Sequence, residues 1–232
     1  MKVSVVCVFW GDKFSLDYVY NLKSMVERNT TVEHEFVCFT DRDDIPGVKT
    51  KKLVNGLKGW WNKLQIFDRR HNLNERVVFF DLDTVIVNNI DWLMEWNGLF
   101  MGIEDLGATN PHQPHLKNRL QSPILAFDYN KNHDIWSHFI KNLDKILITY
   151  RGDGEYLHGV IPQSRRVLLQ NVFPDKIKSY KYHVYPNKPN EKTSIVCFHG
   201  RPSIIQAMSE TVRTPMRIYE PQKWIKDYWK NE

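Results

Sequence analysis

At 232 residues, 42% hydrophobic and 13% aromatic, the chain has enough apolar material for a sizeable core, which excludes a disordered polypeptide. It holds no apolar run of about twenty residues, which excludes a membrane-spanning helix. A net charge of +5 and a pI near 9.0 describe a surface that accepts anionic partners.

In chain order, Lys2–Trp10 reads as a first β-strand. It is apolar and β-branched and runs straight into Gly11-Asp12, which sets it apart from a signal peptide. Phe14–Arg28 is an amphipathic helix, with Leu16, Val19, Leu22 and Val26 at helical spacing. Glu33–Phe39 is a second strand ending in Thr40-Asp41, and Val48–Leu53 a short third. After a loop with Gly56 and Gly59, Trp60–His71 reads as a helix leading into a strand at Val77, with Trp60-Trp61 packing it on the sheet in preference to stacking on a base or sugar. Strand, helix, strand, strand, helix, strand is a doubly wound α/β pattern.

Beyond it the pattern predicts strands at Leu99–Ile103 and Pro123–Phe127, a helix at Asp134–Leu147 and a late strand at Ser194–Phe198. The stretches Thr109–Pro114 and Tyr185–Pro189 read as loops. No linker divides the chain, so residues 1–232 are expected to form one α/β domain with a mixed central sheet flanked by helices. Cys7, Cys38 and Cys197 each lie in an apolar segment without Cys-x-x-Cys spacing. They predict buried thiols in a reducing compartment, and the protein is read as cytoplasmic.

The chemistry concentrates in Val77–Val87, where Asp81 and Asp83 interrupt an apolar, β-rich run. A strand buried on both faces delivers both carboxylates, desolvated and close together, to the mouth of the sheet. They repel unless a cation joins them. Residues two apart in an extended chain share a side, so both can face one divalent ion. Mg²⁺ or Mn²⁺ suits such hard oxygen ligands.

Ligands of open α/β sheets bind outside the carboxyl ends of the strands. Here those ends are Trp10-Gly11-Asp12, Thr40-Asp41, Asp81-Leu82-Asp83 and His199-Gly200-Arg201. An imidazole at His199 completes the metal's coordination. Gly200 allows close backbone approach, Arg201 pairs with a diphosphate, and Pro202 leads into a short helix at Ser203. Two chemistries share the Asp-x-Asp letters: metal-dependent nucleotide-sugar transfer, and a haloacid-dehalogenase-type phosphatase with Asp81 as nucleophile. The long strand–helix pattern before Asp81 argues against the phosphatase.

The order of parts resembles the retaining glycosyltransferases of the glycogenin-like family, which have the GT-A fold. The likeness is carried by Val8 to Asp12, Thr40-Asp41, Trp61-Asn62-Lys63-Leu64, Asp81-Leu82-Asp83-Thr84 with Asn89-Ile90-Asp91, Gln121-Ser122-Pro123-Ile124-Leu125, Gly152-Asp153-Gly154-Glu155, and His199-Gly200-Arg201-Pro202. Pro123 replaces a Gly of that family, and Arg201 a Lys.

The resemblance implies a GT-A-type, Rossmann-like domain whose first 90 residues or so form a nucleotide-binding half and the rest, from about 91 to 232, an acceptor-binding half. It implies a UDP-sugar donor, Mn²⁺ or Mg²⁺ held by Asp81, Asp83 and His199, and transfer with retention. Val8, Phe9, Trp10, Asp12, Thr40, Asp41 and Leu82 would surround the nucleotide, with Lys63, Gly200 and Arg201 at its phosphates. Asp153, Glu155 and Lys63 would serve catalysis. The acceptor would be a glycan, lipid or protein hydroxyl. The basic, aromatic segment Arg213–Trp229 also permits DNA with a hydroxymethylated base.

Overall fold

Alternating apolar residues build a seven-stranded sheet whose two faces feed two cores. The computed structural model describes residues 2–54, 56–110 and 112–231, so Pro111, in the expected loop 109–114, lies outside the described residues. In chain order the elements are β1 (Val3–Phe9), α1 (Leu16–Asn29), β2 (His34–Thr40), β3 (Lys49–Lys52), β4 (Arg76–Phe80), β5 (Thr84–Ile86), α2 (Asp91–Met94), β6 (Phe100–Glu104) and β7 (Leu120–Asp128). There follow α3 (His133–Lys141), α4 (Leu143–Thr149), α5 (Asp153–Val160), β8 (Arg166–Leu168), α6 (Leu169–Val172), β9 (Ile177–Ser179), β10 (Ile195–Cys197) and α7 (Ile204–Ser209). A two-stranded hairpin, β11 (Val212–Arg213) and β12 (Ile218–Tyr219), and α8 (Trp224–Tyr228) end the described chain.

The large sheet has the order β3-β2-β1-β4-β7-β6-β8. Strands β3, β2, β1 and β4 are parallel, β7 is antiparallel to both neighbours, and β8 runs parallel to β6. The doubly wound first half therefore continues into a mixed second half. Val78, Phe80 and Ala126 point to the core under α1, where Val19, Leu22, Met25 and Val26 bury their side chains. Val77, Phe79, Leu125 and Phe127 point to the opposite core. Leu16, predicted on the buried face of α1, is instead 41% exposed at its first turn.

Three expectations are corrected. Asp81 and Asp83 follow the carboxyl end of a strand, as expected, but do not alternate along an extended chain: β4 stops at Phe80, Asp81-Leu82-Asp83 turns, and β5 enters a second sheet of order β5-β10-β9. Trp60–His71 is not an α-helix but two 3-10 segments, Gly59–Phe67 and Arg69–His71. The Asn62 amide donates to the carbonyls of Leu57 and Gly59, and Asp68 caps the second segment by accepting from the Arg70 amide. Such side-chain bonds compete with regular helix formation. Asp134–Leu147 divides into α3 and α4 at Asn142, whose side chain donates to the His138 carbonyl. The three cysteines are free and buried, as predicted. Among the described residues, no helix is long and apolar enough to cross a membrane.

Phe127 anchors the second core, its ring 4.6 Å from that of Phe67 and 6.1 Å from that of Phe100. Its truncation leaves a cavity between rigid elements. Phe127→Ala is predicted to lower stability by about 3–5 kcal/mol, read in urea unfolding as a lower midpoint at unchanged slope. An unchanged midpoint would show that this face of the sheet does not carry the fold.

Candidate active site

Alternation decides where Asp81 goes. It continues the row of Val77 and Phe79, so it emerges on the side of the 3-10 segment and α5, while Leu82 turns back into the core under α1. Its backbone is fixed by β7. Leu125 faces Gly102 of β6, but the next pairing is Gln121 with Ile103, so Ser122, Pro123 and Ile124 bulge away from β6. They stay bonded to β4: Ile124 pairs with Phe80, and the Asp81 amide donates to the Pro123 carbonyl at 2.8 Å. The bulge re-aims this end of the sheet.

Lys63 meets Asp81 there. Its ammonium lies 2.8 and 2.9 Å from the two oxygens of Asp81 and 3.4 Å from Oδ2 of Asp153, the first residue of α5. Ser122 Oγ donates to the same Asp153 oxygen. Burial pulls the pKa of Lys63 down, but the charges of Asp153 and Asp81 outweigh it and hold the ammonium above the ordinary lysine range. Burial pushes Asp81 up to about 7 against the pull of Lys63, with the charge of Asp83 adding to the rise. Burial raises Asp83 too, opposed by Lys13 and Lys63. The site thus holds more carboxylate charge than its one buried lysine balances.

These groups line a cleft of about 500 Å³ with Val8, Trp10, Lys13, Phe14, Gly59, Trp60, Leu82, Gln121, Ser122 and Pro123. Of the residues the sequence singles out, the structure brings Val8, Trp10, Lys63, Asp81, Leu82, Asp83 and Asp153 to this wall. Phe9 and Thr40 are buried beneath it. Asp12 and Asp41 knit the rim: the Gly11 amide donates to Asp41 at 2.9 Å, and Arg42 donates to the Gly11 carbonyl and Asp12. Glu155 faces away, accepting from the backbone and guanidinium of Arg151 with Arg119 nearby, and its carboxyl is held below the usual range, first by that backbone bond.

Sequence reasoning did not select Lys13, Phe14, Trp60 and Ser122 as site residues. Trp60 was expected to pack, yet it is 55% exposed at the cleft, while Trp61 stacks on Phe139 at 5.7 Å. The signal for Ser122 was its place in the Gln121–Leu125 segment.

His199 stands beside the cleft, not on its wall. Strand β10 pairs antiparallel with β5, and the Phe198 amide donates to the Asp83 carbonyl at 2.9 Å. The His199 ring lines an adjoining pocket of about 210 Å³ with Asp105, Leu106, Gln121 and Pro123. Its Nε2 is 2.8 Å from Ser179 Oγ, and burial lowers its pKa to about 4, leaving a neutral imidazole at neutral pH. Among the described residues no three His, Cys, Asp or Glu side chains stand together as a metal cluster. The uncompensated carboxylates nevertheless suit a divalent cation in charge and ligand type.

No family model and no curated protein sequence matches the chain. Solved structures do. The galactosyltransferase LgtC, in complex with donor and acceptor sugar analogs, superposes with a TM-score of 0.63 at 12% identity, over 87% of this chain and 88% of that one. The glycosyltransferase GlyE of Streptococcus pneumoniae gives 0.62 at 11% identity over 87% of this chain and 56% of its own. The apo bifunctional glycosyltransferase WbbM gives 0.60 at 13% over 87% of this chain and 46% of its own. The chain spans about half the length of the latter two. At such identities the likeness is one of fold, and that fold does not favour the phosphatase alternative. The seven-stranded mixed sheet flanked by helices is the GT-A arrangement of these glycosyltransferases.

Proposed function

We propose that this protein is a metal-dependent glycosyltransferase that moves a sugar, with retention, from a UDP-sugar to a hydroxyl acceptor. The observation that carries the reading is the cleft at the end of β4, where Asp81 and Asp153 flank the buried ammonium of Lys63 and Asp83 lines the same wall. A nucleotide diphosphate with its cation is a ligand that needs surplus carboxylate and apolar walls together. Trp10, Trp60, Val8 and Phe14 offer those walls to the base or sugar. Nucleotide binding falls to the first 90 residues or so, and acceptor binding to the remainder.

In this reading Asp81 and Asp83 would hold Mn²⁺ or Mg²⁺, with His199, whose Nε2 is bonded to Ser179 beside the cleft, as a third candidate ligand. When bound, the cation neutralises charge developing on the departing diphosphate. Lys63 adds a fixed positive charge within reach of the same oxygens, pre-organised by Asp81 and Asp153 so that little reorientation is needed during reaction. Asp153, held by Ser122 and Lys63, lines the same cleft beside Asp81 and would meet the sugar there. Glu155, clamped by Arg151 outside the cleft, positions the start of α5. The acceptor hydroxyl approaches through the pocket beside His199 and Gln121. It belongs to a glycan, a lipid, a protein or a hydroxymethylated DNA base.

Incubation with Mn²⁺ and a panel of UDP-sugars, with released UDP as readout, is predicted to show turnover of at least one donor. Chelation should abolish it, and Lys63→Met should lower it by about 10²-fold or more. No release from any donor and no UDP binding would contradict the assignment.

A second prediction concerns pH. Asp81 titrates near 7 in the metal-free protein, and only its ionised form ligates a cation, so binding must displace a proton. Affinity for Mn²⁺ with UDP should rise between about pH 6 and 7, by up to about tenfold per unit, and level off above. Calorimetry in buffers of different ionisation enthalpy reads the released proton. A flat profile would show that Asp81 is not a ligand.

A further inference from the structure

Strands β9 and β10 are parallel, with Ser179 opposite Cys197. The residues that follow them therefore leave from the same edge of the small sheet: Tyr180 and Lys181 from β9, Phe198 to Gly200 from β10. Strand β5, antiparallel to β10, begins at that edge, which places Asp83 next in line. Across the edge the order is Asp83, then His199-Gly200, then Lys181.

Lys181 is unlike Lys63. Lys63 is compensated by Asp81 and Asp153, but the half-buried ammonium of Lys181 has neither an ion pair nor a hydrogen bond among the described residues. Burial lowers its pKa, as it must for a cation withdrawn from water without a counter-charge. Its Nζ rests over Gly200. A Cβ built there would come within 3.5 Å of it, and Gly200 itself has φ +70°, a conformation that glycine adopts without strain. The edge thus presents a carboxylate at one end and an unpaired ammonium at the other, with a side-chain-free step between.

We propose that Lys181 is the residue that binds the terminal phosphate of the donor diphosphate, in preference to the exposed Arg201. The inference rests on the nucleotide-sugar reading and assigns one contact within it. A phosphate lying over Gly200 would supply the counter-charge that Lys181 lacks, in a partly desolvated place where a charge-assisted hydrogen bond is strong.

The test is calorimetric titration of UDP and of uridine, each with Mn²⁺, into the wild type, Lys181→Gln, Lys181→Arg and Arg201→Gln. Lys181→Gln should weaken UDP binding by about tenfold or more and leave uridine binding unchanged. Lys181→Arg should restore most of the loss, and Arg201→Gln should cost less than Lys181→Gln. The melting temperature of Lys181→Gln should not fall, because removing a half-buried charge that has no counter-charge relieves a cost. Wild-type UDP binding that Lys181→Gln leaves untouched would overturn this inference alone. Failure of the wild type to bind UDP would overturn the nucleotide-sugar reading and this inference with it.

Discussion

The ammonium of Lys63 sits where an unpaired charge could not persist, and it persists because Asp81 and Asp153 flank it. This one contact ties together three parts of the chain that are far apart in sequence: the 3-10 segment, the end of β4 and the start of α5. It also sets the chemistry of the cleft. The one buried lysine does not balance three carboxylates, and Asp81 rises toward neutral pH, first through burial and then through the charge of Asp83 beside it. A site in this condition gains by taking up a cation, and a diphosphate is a natural companion for that cation. The proposed activity follows from this charge balance more than from any single motif.

The geometry that makes the contact possible is a change of sheet. If the chain had continued straight from Phe80 to Val87, both carboxylates would have stayed within one strand, facing a neighbour in the ladder. Instead β4 ends, the three residues 81–83 turn, and β5 starts a second sheet with β10. The turn joins the two sheets. The bulge of Ser122 to Ile124 supports it from the other side by accepting the Asp81 amide. The same change of sheet brings the strand ends carrying His199 and Lys181 toward Asp83, which no alternation along a single strand could do.

Much of this was legible in the sequence, and the rest was not for physical reasons. The strands around Val3, Phe36, Val77 and Ala126 were visible because buried central strands are long apolar runs, and α1 because its apolar residues repeat at helical spacing. The importance of Asp81 and Asp83 was visible because carboxylates in such a run require an explanation. Hidden were features set by tertiary contact. The 3-10 form of the Lys63 segment depends on the Asn62 amide bonding back to Leu57 and Gly59. The break at Asp81 depends on pairing with residues more than forty positions away, a separation no local pattern records. Phe9 and Thr40 sit at strand ends as predicted, yet alternation turns their side chains beneath the cleft, while Trp60, read as packing, stands open at its wall.

The most direct test of the charge-balance account is a crystal structure of the protein grown with Mn²⁺ and UDP, with the metal located by its anomalous scattering. The account predicts one strong peak joined to the carboxylates of Asp81 and Asp83, with the diphosphate on its far side and Lys63 still bonded to Asp153. A cleft that stays without a peak at saturating Mn²⁺ and UDP, or a metal bound elsewhere while Lys63 alone neutralises Asp81, would contradict it.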